Sequence, residues 1–126
     1  MVPTEVITEL QADPSSPEIL VHGWIRIKKP PLPDSLRIIP DLGLGESAAI
    51  ALALQSASPL LLLDDSLGRR IAKLHGLRIT GTAGVLLKAK KRGIVPAVRP
   101  LLEDLVRAGF YLRPDHLEML CRIADE

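Results

Sequence analysis

The chain has one cysteine, three aromatic residues and a net charge of only +1. With Cys121 alone, no disulfide can form within the chain and no cysteine-based metal cluster is available. His22, His75 and His116 are scattered, so zinc-ligand spacing is absent as well. Aromatics at 2% leave Leu, Ile, Val and Ala to build the core, which suits helices packed on a parallel sheet better than a β-sandwich. The small net charge provides no global field to draw in nucleic acid. Local basic runs remain at Arg26/Lys28/Lys29, Arg69/Arg70/Lys73 and Lys88/Lys90/Lys91/Arg92, and solvated faces account for most such runs. The most apolar stretch, Ala48 to Leu63, is broken by Gln55, Ser56, Ser58 and Pro59 and falls short of the roughly 20 residues a membrane helix needs. Met1-Val2-Pro3-Thr4 lacks a secretion signal, which predicts a reducing cytoplasm. Neither an internal repeat nor a low-complexity tail is present.

A chain of 126 residues is the size of one domain, here expected to span 1–126. Pro3 predicts the first helical position of a short helix, Thr4 to Gln11. After the break at Asp13-Pro14-Ser15-Ser16-Pro17, Ile19 to Ile27 alternates like a strand and carries His22 and Trp24. Trp24 is expected in the core or at an interface, with base stacking as the alternative. Consecutive prolines make Lys29-Pro30-Pro31-Leu32-Pro33 an extended linker, the most mobile segment, within a Pro-rich connecting loop over 29–40. Gly43 to Ala57 reads as a helix buried on most sides, and Leu60 to Leu63 as a central parallel strand. A helix from Ser66 to His75, a strand from Leu77 to Thr80 and a helix from Thr82 to Lys91 follow, with Gly76 and Gly93 as stops. Val98 to Ala108 shows one apolar face at helical spacing, Phe110 to Leu112 a brief extended piece, and Asp115 to Ala124 a last helix.

Four carboxylates bracket the middle strand and helix: Asp41 and Glu46 at the helix entrance, Asp64 and Asp65 at the strand end. If strand and helix are neighbours in a parallel sheet, the acids meet at the edge where such sheets keep their sites. Two carboxylates about 5 Å apart at an effective dielectric of about 20 repel by roughly 3 kcal/mol, a cost that a divalent cation removes. Helix capping competes with that reading, because a carboxylate at a helix start is favoured by the dipole and by free N–H groups. Glu46, Asp64 and Asp65 all occupy such positions. Gly43 and Gly45 form a GxG with no third glycine, which supports a dinucleotide site only weakly.

The segments GLGESAAIALAL, LLLLDDSLGRRIAKLHGL, ITGTAGVLLKAKKRGIVPAV and RPLLEDLVRAGFYL resemble the PIN-domain family. More narrowly, they are similar to its uncharacterised PIN-like branch of predicted nucleic-acid-binding proteins. The likeness runs from about Val2 to the C-terminus. It implies an α/β fold: a Rossmann-like, three-layer parallel sheet with helices on both faces. It also implies acidic residues holding Mg²⁺ or Mn²⁺ for cleavage of single-stranded RNA. Many members are toxins of toxin–antitoxin pairs, so an antitoxin protein is an implied partner. By position, Glu9 resembles the acid of the family's early helix, Glu46 the acid opening the central helix, and Asp65 the strand-end acid, with Asp64 beside it. Glu46 and Asp65 are the implied metal ligands. Thr80 and Thr82 fall where relatives place a further polar or acidic group.

PIN domains begin with a strand ending in Asp, then a helix, before the segment similar to Val2 to Leu10. This sequence starts at that segment, so the resemblance implies an N-terminally truncated fold. Ile19 to Ile27 entering the sheet, or a second copy of the chain, would fill the place of the absent strand, and open edges predict at least a dimer. Magnesium uses one or two protein carboxylates and several waters, so Glu46 and Asp65 suffice to bind it, more weakly than a full set. Arg69, Arg70 and Lys73 on the following helix are candidates to hold the phosphate backbone, with Ser66 and the helix-start N–H groups. Two functions follow: a metal-dependent ribonuclease, or an inactive remnant that binds nucleic acid or a protein partner without cleavage. A phosphoacceptor regulator ranks last, for want of an acidic pair on an earlier strand.

Overall fold

A computed structural model describes residues 1–16, 22–57 and 59–126. The chain divides into two compact units, Met1–Ile79 and Thr80–Glu126. In the first, β1 (Val2–Pro3) runs into α1 (Thr4–Ala12), and β2 (Ile27–Lys28) pairs in parallel with β1 in the register Val2↔Ile27 and Pro3↔Lys28. Pro3 is therefore not the first helical residue. It ends a strand, where its missing N–H costs nothing at an edge, and its extended backbone leads into the helix. Of the strand predicted over Ile19 to Ile27, residues 19–21 lie outside the described ones. His22 to Ile25 form a turn closed by the Ile25 N–H donating to the His22 carbonyl, leaving only Ile27–Lys28 in the ladder. Residues 29–33 contain no helix or strand, whereas the connecting loop expected to run on to 40 is interrupted by α2 (Asp34–Arg37), anchored through Leu36, which is 1% exposed. Trp24, at 79% exposure, belongs to no core.

The long central helix α3 (Leu44–Leu54) packs against α1, β1, α2, α4 and β3. Its Ala and Leu residues are strong helix formers, and small alanines let neighbours close in from several sides. Ile50 and Ala51 are almost fully buried with Leu36, Ala53, Leu61, Leu63 and Ala72, which form the core of this unit. β3 (Leu60–Leu62) lies beside β4 (Arg78–Thr80), and the two strand pairs are separate sheets. β3 is not a strand buried on both faces. Leu61 is buried while Leu60 and Leu62 are each 53% exposed, so a continuous apolar run here covers one packed face and one open face. A groove of about 460 Å³ over α3, lined by Val2 and Pro3 on one side and by Leu60 and Leu62 on the other, lies between β1 and β3.

Between β3 and β4, α4 (Ser66–Leu74) ends in a left-handed Gly76 with φ of 72°. The Gly76 N–H reaches the Lys73 carbonyl and the Leu77 N–H that of Ala72, a stop only glycine adopts without strain. Gly93 and Gly109 end the next two helices in the same way.

The second unit contains α5 (Thr82–Lys91), α6 (Arg99–Arg107) and α7 (Pro114–Ile123) around Val98, Leu102, Leu120, Cys121 and Ala124. Phe110 to Leu112 connect α6 to α7 without joining a sheet. Cys121 is fully buried, and burial pushes its thiol up, so it is a packing residue and not a nucleophile. Val98, at the start of α6, has no capping side chain of its own. Glu126 supplies it from the far end of the unit, accepting from the Val98 N–H at 2.7 Å, the Arg99 N–H at 3.1 Å and Lys90 Nζ at 2.9 Å. The Val98 amide and Lys90 lead in drawing its carboxyl down to about 2. A depressed folded-state value means stability that is complete above the ordinary carboxylate value near 4.5 and lost as pH falls through about 2. Glu126→Gln is therefore expected to lower the melting temperature at pH 7. The gap to the unsubstituted protein should narrow below pH 4.5 and close near pH 2, as circular dichroism melts at stepped pH would show.

Candidate active site

The acids gather where two helices of the first unit begin. Glu46 stands in the first turn of α3, and its carboxylate folds back over Gly43, where a side chain would overlap Glu46 Oε2. One turn into α1, Glu9 reaches across 36 residues of sequence to accept the Gly45 N–H at 2.9 Å, so it caps a helix other than its own. A Cβ on Gly45 would lie 2.6 Å from Glu9 Oε2. Asp65 is the N-cap of α4 and accepts the Gly68 N–H through Oδ2 at 2.6 Å. The place a Gly68 Cβ would take lies 3.3 Å from that Oδ2 and 3.5 Å from Glu46 Cγ. Glu46 Cγ and Asp65 Oδ2 thus both border the buried Gly68, while the Glu46 carboxylate turns back toward Gly43.

The other residues singled out from the sequence fall differently. Asp64 is exposed beside Asp65. Asp41 is exposed in a turn with φ of 63°, a left-handed conformation that a short polar side chain tolerates. Arg69 is half-buried and donates from Nη1 to the Leu63 carbonyl at 2.9 Å, bracing the end of the strand segment that carries the Asp pair. Arg70 and Lys73 are exposed on α4, and Ser66 is exposed as its first residue. Thr82 opens α5 in the second unit. Sequence reasoning missed Gly43, Gly45 and Gly68 as site residues, each of which leaves room for one of the acids. The signal was present in the spacing for Gly43 and Gly68, each three residues from the acid it accommodates, but not for Gly45, whose acid, Glu9, lies 36 residues away.

A family model described as a PIN domain matches residues 1–126. The chain belongs to the PIN-domain family. No curated protein and no solved structure matches it. PIN domains are generally nucleases that bind nucleic acid and use divalent metal ions. Among the described residues, the mixed α/β architecture of seven helices and small sheets accords with that membership. Among the described residues, no helix is long and apolar enough to cross a membrane.

The donor set agrees with a hard divalent ion in kind, being carboxylate oxygen with no sulfur or imidazole beside it. In number it is small. Among the described residues no group of three or more His, Cys, Asp and Glu is assembled to hold an ion. Asp65 and Glu9 each already commit one oxygen to a helix-start N–H. A pair of carboxylates completed by water is within what magnesium accepts.

Because Asn caps a helix as well as Asp does, Asp65→Asn is expected to keep the stability of the fold, whereas Asp65→Ala should lose about 1 kcal/mol in urea denaturation. Gly45→Ala should displace the Glu9 carboxylate and cost about 1–3 kcal/mol, the range for a lost hydrogen bond to a charged group. Replacing Glu9 by Ala as well should make the second substitution nearly free, a non-additivity that a double-mutant cycle reads directly.

Proposed function

We propose that this PIN-domain protein is a metal-dependent ribonuclease acting on single-stranded RNA, with Glu46 and Asp65 holding the ion and Glu9 and Asp64 beside them. What supports this reading most is membership of a family whose members are generally nucleases, together with Glu46 and Asp65 standing at the starts of α3 and α4, both beside Gly68. Mg²⁺ or Mn²⁺ bound there would supply polarisation of the scissile phosphate and a water acidified enough to attack it. The protein's own part is placement. Glu9 fixes the first turn of α3 and with it Glu46, and Asp65 holds the first turn of α4 through Gly68. Arg69 braces the strand end at the Leu63 carbonyl. Arg70 and Lys73, exposed on α4, are free to neutralise backbone phosphates, and Ser66 stands at the helix start where N–H groups favour an anion. No side chain acts as nucleophile in this scheme.

A second reading, binding of nucleic acid without cleavage, draws on the commitment of one Glu9 oxygen and one Asp65 oxygen to helix capping. Cleavage assays on single-stranded RNA with Mn²⁺ or Mg²⁺ decide between them. The nuclease reading expects products that vanish with EDTA and fall at least about 100-fold in Glu46→Gln and Asp65→Asn, since even groups one step behind metal ligands are worth about 10–100-fold. Salt-dependent binding with no products in any metal would sink it in favour of the second.

A further inference from the structure

We propose that the segment from His22 to Lys29 is a second nucleic-acid contact, a platform on which a base of single-stranded RNA or DNA stacks against Trp24 while Arg26, Lys28 and Lys29 take the adjoining phosphates. Its choice of ligand rests on the reading of the protein as one that handles nucleic acid, but it does not require cleavage.

Trp24 is the only tryptophan of the chain, and it is 79% exposed. Indole is among the largest apolar groups a protein can bury, so a folded unit that leaves its sole one outside forgoes a large packing gain. The turn closed by Ile25 N–H to the His22 carbonyl carries it outward, and the His22 ring stands beside it at 6.1 Å between centroids, tilted by 37°. That arrangement steadies the indole and leaves most of its surface open. Arg26, Lys28 and Lys29 are exposed as well, and none of them is in an ion pair among the described residues. From His22 to Pro33 the sequence has no acidic residue, and of the acids elsewhere Glu5 of α1 lines a pocket together with Lys29. A flat π-face beside exposed cations is the combination that single-stranded nucleic acid recognises, because every base has a face to stack and every link a negative phosphate.

The platform is firmly tied to the acids' side of the unit. The Val2 N–H donates to the Arg26 carbonyl at 2.8 Å, Ile27 and Lys28 pair with β1, and Thr4 Oγ1 donates to the Lys28 carbonyl. β1 continues directly into α1, the helix of Glu9. The segment that carries Trp24 is thereby joined to the helix of Glu9.

The sole tryptophan is its own reporter. In EDTA, so that nothing is cleaved, the full chain is titrated with an unstructured 12-nucleotide RNA while indole fluorescence is followed, and binding is measured in parallel by anisotropy of a labelled copy. Stacking predicts saturable quenching that tracks the anisotropy, with no quenching by a blunt duplex, whose bases are already stacked. Trp24→Ala is expected to weaken binding about 5- to 150-fold, and Trp24→Phe to recover part of the loss. Joint replacement of Arg26, Lys28 and Lys29 by Ala should flatten the slope of log affinity against log salt by about 2. Anisotropy that rises while the fluorescence stays flat, quenching as strong with duplex, or no binding at all would each overturn the platform. Quenching in a protein that cleaves nothing would leave the platform standing and remove only the nuclease, whereas cleavage without quenching would do the reverse.

Discussion

The first unit is organised by one hydrogen bond, from the Gly45 N–H to the Glu9 carboxylate. α3 begins at Leu44 behind a glycine that has no capping group, so one of its orphaned N–H donors needs an acceptor from elsewhere. Glu9 meets that need from α1, 36 residues away. The bond crosses from the amino-terminal helix to the most buried one, and it sets where Glu46 stands, one residue after the capped glycine. Because α3 is also the element against which β1, α2, α4 and β3 pack, the orientation of its first turn is shared by most of the unit. Structure and candidate chemistry consequently depend on the same carboxylate.

Glycine gives this arrangement its closeness. At Gly43, Gly45 and Gly68 a methyl group would meet a carboxylate oxygen of Glu46, Glu9 and Asp65 respectively, and at Gly68 it would also meet Leu63 Cδ2 at 2.9 Å. None of the three needs glycine for its backbone angle, since positive φ glycines occur only at Gly76, Gly93 and Gly109. The chain thus uses glycine in two distinct ways. At helix ends it permits a left-handed turn, and at helix starts it makes room for acids.

Much of this was legible in the residues. Alanine and leucine over Gly43 to Ala57 mark the buried helix, the glycines at 76, 93 and 109 mark helix ends, and Glu46 and Asp65 stand at helix starts, where both site chemistry and capping place an acid. The misreadings share one physical source. Local pattern does not say which neighbours arrive. Leu60 to Leu63 has the composition of a strand covered on both faces, yet one of its faces is open, since burial is decided by what packs there. Trp24 has the composition of a core residue, but a turn at His22 to Ile25 and a run of cations carry it outward. Pro3 fits a helix start by its own geometry and was instead drawn into β1 by pairing with β2. Glu9 is an exposed acid on a short helix, as local pattern suggests, yet it also caps a second helix. Its partner is too distant in sequence for any periodicity to reveal.

The repulsion between the gathered acids also takes a different form from the one that spacing alone suggests. Two carboxylates about 5 Å apart at an effective dielectric of about 20 repel by roughly 3 kcal/mol, which makes a bound cation look obligatory. Here each acid lies at the start of a helix, and every helix start carries a partial positive charge of about half a unit spread over its unpaired N–H groups. The Gly45 and Gly68 amides, in the first turns of α3 and α4, donate directly to Glu9 and Asp65. The backbone therefore offsets part of the charge before any ion arrives.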